Sequence, residues 1–272
     1  HLVCREARRA GLTVAICGDG GDELFGGYNR YFWGPRIWNR LAWLPSPLRQ
    51  SLGRAITKFP PRAWDVLGRP LSIQQLGHKA HKLGSRLRYV NSSDDLYRSL
   101  ICEPSDQEVP LQSLPACLSE DAIARMMCWD ALGYLPDDIL VKVDRAAMAV
   151  GLETRAPFLD HRVADVAWRI PMSMKIRSGK DSAASKWALR QILYKHVPQA
   201  LIERPKAGFA IPIGQWLRGP LRSWAADLIH PDRLRSEGYL SPEPISQLWQ
   251  QHLSGRYDHT TRLWSVLMWQ AW

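Results

Sequence analysis

The chain has 272 residues, 46% of them hydrophobic, enough for the core of one large domain or two small ones. No stretch is long and apolar enough to span a bilayer, no signal peptide is visible, and Cys4, Cys17, Cys102, Cys117 and Cys128 lack C-x-x-C spacing. This argues for reduced, cytosolic thiols and against disulfides or a zinc site. The net charge of +10, from 36 Lys+Arg against 26 Asp+Glu, raises a nucleic-acid-binding module. The basic residues are spread through amphipathic segments such as 49–58 and 79–88, away from stacking aromatics. Tryptophans fall at helix-like spacing, as in Trp264, Met268 and Trp272, so packing is expected of them rather than base stacking.

The chain opens on His1-Leu2-Val3-Cys4-Arg5, which reads as the end of a helix. The apolar, partly β-branched run Leu12-Thr13-Val14-Ala15-Ile16 predicts a buried strand. Directly after it comes Cys17-Gly18-Asp19-Gly20-Gly21-Asp22-Glu23-Leu24-Phe25-Gly26-Gly27-Tyr28. Acids and glycines in this density are poor core material. Glycine allows sharp turns and close approach to a ligand, and clustered carboxylates suit a hard cation carrying phosphate oxygens. In open α/β sheets ligands sit beyond the carboxyl ends of strands, which is where this loop falls. G-x-G-x-x-G fails at Glu23 and G-x-x-x-x-G-K-[ST] has no match, so a different nucleotide chemistry is required.

Residues 35–115, punctuated by prolines, read as short helices and turns, with Asp94-Asp95-Leu96-Tyr97 as a candidate partner surface. Residues 119–149 are helical in composition, with a break predicted at Pro136. A helix over 182–197, stopped by Pro198, places Lys186 on one face with Leu189, Leu193 and Val197. Such a lysine either snorkels to water or, from the first turns, directs its ammonium to a site at the helix's N-terminal end. Further helices are predicted over 214–229, 241–253 and 260–272. His78 and His81, beside Lys79 and Lys82, read as solvated surface rather than a metal site.

The acidic loop resembles the signature loop of glutamine-hydrolysing asparagine synthetases, and other stretches agree in order. They are Leu135-Pro136-Asp137-Asp138 through Asp144-Arg145, Gly151-Leu152-Glu153-Thr154-Arg155, Lys186-Trp187-Ala188-Leu189-Arg190 and Arg204-Pro205-Lys206-Ala207-Gly208-Phe209. The resemblance implies an α/β fold. The expected architecture is the helix-rich C-terminal part of an adenine-nucleotide alpha-hydrolase-like (PP-loop ATP pyrophosphatase) domain with a parallel sheet. Residues 1–272 are then a synthetase domain incomplete at its N-terminus, with the N-terminal glutamine amidotransferase domain absent. The family's Ser-Gly-Gly-x-Asp-Ser loop is not found. Ser178-Gly179-Lys180-Asp181-Ser182 lacks the second glycine and reads as a helix N-cap. The chain alone is therefore expected to be inactive.

The implied function is ATP-dependent synthesis of asparagine from aspartate, through β-aspartyl-AMP, with ammonia delivered from a glutaminase domain. The expected cofactors are ATP and Mg²⁺, the expected location is cytoplasmic, and a homodimer is left open. Neither nucleic acid nor membrane is an expected partner. By resemblance Asp19, Lys186 and Glu153 are the catalytic candidates, and Cys17, Gly18, Asp22 and Lys206 the ATP-binding ones, with Asp22 also the metal ligand. Serine is more familiar at Cys17, and glutamate at Asp19. Asp19 argues against the β-lactam-forming relatives, where tyrosine is expected. Alternatives stay open for three residues: Glu23 braces the loop or touches substrate, Glu153 meets substrate or else pairs with Arg155 or caps a helix, and Lys206 neutralises phosphate or forms a structural pair. Asp144 and Arg145 are expected to scaffold the pocket. Two other readings compete with asparagine synthesis: an amidotransferase acting on another carboxylate in polysaccharide or peptide modification, and a non-catalytic fragment.

Overall fold

The computed structural model describes all residues except 61–62, 65–75, 102–118, 178–184, 204–210 and 256. The chain divides into two compact units, His1–Leu44 with Val90–Lys206, and Pro45–Tyr89 with Ala207–Trp272. Both are rich in helix, and the first carries a small parallel sheet.

In the first unit, the helix Leu2–Arg9 leads into strand β1 (Val14–Ile16), which pairs in parallel with β2 (Glu153–Arg155). The register sets Val14 beside Glu153 and Ile16 beside Arg155. The ladder continues one residue further, where the Cys17 N–H donates to the Arg155 carbonyl at 2.8 Å. The strand is not buried as predicted. Leu12, Val14 and Ile16 are exposed, Ile16 by 80%, because no described side chain covers the face they share.

The predicted break at Pro136 does not occur. The helix Ala122–Trp129 is capped by Asp121, whose Oδ1 accepts the Ile123 N–H at 2.7 Å. It runs straight into a π-helical stretch, Asp130–Leu140, and then the helix Val141–Met148. Proline has no N–H to donate, and the wider winding carries the backbone past Pro136 without ending the helix. The core of this unit gathers Tyr31, Tyr97, Met126, Met127 and Trp129. A second cluster of Leu24, Phe25 and Ala167, backed by Phe158 and Leu189, lies beneath the acidic loop.

In the second unit, the helices Ser46–Lys58 and Leu76–Leu87 meet closely at Gly53, where a Cβ would stand 2.6 Å from the Gly84 carbonyl oxygen. The remainder packs Leu217, Ala225, Leu234, Trp249, Leu263 and Leu267 into one apolar core. The helix predicted over 214–229 is two, Ile213–Arg218 and Arg222–Leu228, parted at Gly219-Pro220. Trp264 packs against this core as expected, but Trp272 is 97% exposed. His252 is fully buried inside it. Its Nε2 lies 3.1 Å from the Gly214 carbonyl, and its Nδ1 accepts the His259 N–H at 3.3 Å. One ring nitrogen donates and the other accepts, which is the pattern of a neutral imidazole. Burial, followed by the nearby Arg218 charge, holds its pKa below the ordinary value.

Candidate active site

The acidic loop is shaped by its glycines. Gly20 sits at φ 88°, and a Cβ there would come within 2.7 Å of Leu159 Cδ2, so only glycine fits the turn that starts the helix Gly21–Phe25. Gly27 closes the loop, its N–H donating to the Asp22 carbonyl at 2.8 Å. A Cβ at Gly27 would fall 1.7 Å from Asp22 Oδ1 and 2.3 Å from Lys186 Cε. The missing side chain leaves the space in which these two residues meet.

Lys186 Nζ lies 2.8 Å from Asp22 Oδ1, with the two side chains 31% and 37% exposed. Folding thus brings a lysine from the far end of the first unit onto the loop acid, and solvent still reaches both. The sequence placed Lys186 in the first turns of a helix over 182–197, on one face with Leu189, Leu193 and Val197. The described helix begins at Trp187, and Lys186 is its left-handed cap rather than a residue on its apolar face. The predicted start at Ser182 lies outside the described residues.

Asp19 and Cys17 also come together. Burial, and then a hydrogen bond to Asp19, push the Cys17 thiol above its ordinary value. Asp19 Oδ2 is buried with no hydrogen-bond partner among the described residues. Gly18 is exposed, with open space beside it. Glu153 stands apart from this group. It lies beside Val14, at the end of the ladder away from the loop, and its carboxylate pairs with Arg155 on the same exposed face. Lys206 lies outside the described residues. Asp144 and Arg145 are exposed on their helix.

Glu23 braces the loop. It is buried and accepts the Tyr28 hydroxyl at 2.6 Å, and its pKa is raised because burial outweighs that hydrogen bond. The Arg30 guanidinium lies 3.9 Å from the centre of the Tyr28 ring and donates through Nε to Asp130 Oδ2 at 2.8 Å. Asp130 is fully buried and also accepts the hydroxyls of Tyr31 at 2.5 Å and Tyr97 at 2.7 Å. Sequence reasoning missed this network. Its one signal was a lone acid in the apolar stretch Met126 to Leu135. The expected partner surface at 94–97 is corrected in part, since Leu96 and Tyr97 are core and Asp94 pairs with Arg125 at 2.9 Å. Lys175 was missed too. It is 2% exposed, its Nζ lies 4.9 Å from the Trp168 ring centre, and burial lowers its pKa to about 8.

The described residues hold no cluster of three or more His, Cys, Asp or Glu placed to bind a metal. Asp22 alone nevertheless fits Mg²⁺, which is bound through one or two carboxylates and keeps its waters and substrate phosphates. The unpartnered Asp19 oxygen adds a second acceptor to the loop.

The asparagine synthase family model matches residues 1–272. The chain is 35% identical over 278 residues to a glutamine-hydrolyzing protein of Mycobacterium tuberculosis named "Putative asparagine synthetase", covering all of this chain and 40% of the relative. It is 30% identical over 277 residues to glutamine-hydrolyzing asparagine synthetase 1 of Bacillus subtilis, covering 100% of this chain and 42% of the relative. The amidase chyE of Penicillium rubens is 23% identical over 270 residues, 88% of this chain and 38% of the relative. No solved structure gives a significant match. The chain spans about two-fifths of the length of the curated synthetases it matches, 40% and 42%. With the family model covering it from end to end, the chain belongs to the asparagine synthase family.

Proposed function

We propose that this chain is the part of an amide-forming ligase that activates a carboxylate with ATP. In this reading the carboxylate of aspartate attacks the α-phosphorus, and the bond to pyrophosphate breaks. Ammonia then attacks the acyl carbon of β-aspartyl-AMP and releases AMP. One observation carries the reading: Lys186 and Asp22 meet at 2.8 Å over a glycine that leaves them room. A phosphoryl-transfer site needs a fixed cation beside a carboxylate that can hold a metal, and the charge must be in place before reaction.

Asp22 would hold Mg²⁺, which would supply charge neutralisation for the leaving pyrophosphate. The chain's own groups do the rest. The Lys186 ammonium stabilises charge on the α-phosphate and then on the tetrahedral oxyanion. Gly18 and Cys17 offer backbone contacts to the nucleotide, and the Asp19 carboxylate orients the acyl group. Glu153, on the exposed face of β2, and Lys206 are assigned to substrate amine and phosphate by family resemblance alone. Glu23 has a structural role, since its carboxylate is buried under Tyr28.

The test is exchange of labelled pyrophosphate into ATP by the complete gene product, run with aspartate and then with other small carboxylates. Exchange that depends on aspartate supports asparagine formation. Exchange with a different carboxylate moves the acceptor but keeps the chemistry. No carboxylate-dependent exchange with any of them sinks the reading.

A further inference from the structure

Among the described residues, Lys186 is the only non-glycine at positive φ, with φ 52° and ψ 36°. That conformation is costly for a residue with a Cβ and persists only where its surroundings over-determine it. Arg190 lies one turn into the helix Trp187–Leu193 that follows Lys186. The Arg190 backbone N–H donates to the Lys186 carbonyl at 3.0 Å, and its Nε donates to the Ser185 carbonyl at 2.9 Å. Both carbonyls of the turn are therefore tied to one residue. Ser185 is buried, which closes the turn to competing water. The guanidinium is itself fixed. Its Nη1 donates to Glu203 Oε1, which also accepts the Tyr194 hydroxyl.

Resting on the adenylation reading above, we propose that Arg190 is a positioning residue for Lys186. It clamps the turn at 185–186 in its left-handed form, so that the Lys186 ammonium is delivered to Asp22, and Glu203 with Tyr194 holds the clamp. If the turn relaxes to negative φ, the Cα–Cβ direction of Lys186 swings and the ammonium leaves the loop. The planar fork matters here. A lysine at 190 has one point charge and cannot serve the Ser185 carbonyl and Glu203 in fixed directions at once. A small misplacement of a charge in such a site is enough to lower turnover without abolishing binding.

The experiment is trace acetylation of the complete gene product, read by mass spectrometry as the ratio of labelling at Lys186 to that at the exposed Lys142. In the wild type Lys186 is expected to be protected by its ion pair, and Asp22→Asn calibrates the unprotected level. Arg190→Ala and Arg190→Lys are both expected to raise Lys186 labelling severalfold toward that level, and Glu203→Gln to raise it less. Arg190→Lys is also expected to lower kcat in the exchange assay with little change in KM for ATP. A folded Arg190→Ala protein with wild-type labelling at Lys186 overturns the proposal. If that variant does not fold, Arg190→Lys and Glu203→Gln decide, and wild-type labelling in both overturns it equally. A role confined to helix stability would lower Tm and leave the labelling ratio where it was. If the wild type shows no exchange but the variants still unmask Lys186, the clamp stands and the adenylation reading falls.

Discussion

Around the acidic loop the first unit buries charge: Asp130 is held inside by Arg30, Tyr31 and Tyr97. The main core of the second unit is aliphatic and aromatic, with neutral His252 and Gln270 as its buried polar groups, and buried Arg49 lies outside that cluster. An apolar core tolerates small slips between helices, whereas a carboxylate accepting from three donors fixes their directions. The firmer polar arrangement lies behind the loop where Asp22 and Lys186 must meet, and the apolar one where no candidate site residue falls.

The largest effect should come from breaking the buried network. Asp130→Ala leaves the half-buried Arg30 guanidinium and two buried hydroxyls without their acceptor, a loss of roughly 3–5 kcal/mol. Leu267→Ala opens a cavity in the second unit and should cost roughly 2–5 kcal/mol. Hydrogen exchange separates the two. Protection should fall first in the helix Ala122–Trp129 for Asp130→Ala, and first in the helix Thr260–Ala271 for Leu267→Ala. Equal loss along the chain in both variants would erase the contrast.

Acid should sharpen it. The pKa of His252 is lowered in the fold, so its contribution is full above its ordinary 6.5 and is lost as pH falls through the folded value. The pKa of Glu23 is raised, so its contribution is full below its ordinary 4.5 and is lost as pH rises through the folded value. Mild acidification should thus weaken the second unit through His252, while Glu23 acts in the opposite sense on the first. Denaturant midpoints of His252→Gln and Glu23→Gln against pH check this. A wild-type slope below 6.5 that survives in His252→Gln would refute the histidine assignment.

A smaller effect isolates the strained turn. Lys186→Gly and Lys186→Ala both remove the ammonium, but only glycine is at ease at φ 52°. The glycine variant should be the more stable by about 1 kcal/mol. An alanine variant at least as stable would mean that the turn is not left-handed in solution.

Much of the acidic loop was legible because its conformation is local. A strand, sharp glycine turns and closely spaced acids within 14–28 specify a loop whatever surrounds them. The strand's exposure was not legible, since alternation fixes which side chains share a face but not what covers it. Pro136 was read as a helix stop because local rules assume α-winding, and the π-stretch escapes them. Lys186 was read as a residue on a helix face, but it stands as the left-handed cap before Trp187. Its route to Asp22 runs through a left-handed turn that depends on Arg190 and Glu203, and no periodicity records such a contact. Asp130 was invisible in the same way, because Arg30, Tyr31 and Tyr97 reach it only after folding.

The central claim is that Asp22 and Lys186 form one charged site for adenylation. Its most direct test is carboxylate-dependent pyrophosphate exchange in the complete gene product with Lys186→Ala and Asp22→Asn, each checked for retained fold. The account predicts that Lys186→Ala lowers the exchange rate by about 10²–10³, the scale of one lost transition-state donor, with a much smaller effect on KM for ATP. Asp22→Asn should abolish exchange at ordinary Mg²⁺ and recover in part as Mg²⁺ is raised. Wild-type exchange rates in both folded variants would contradict it.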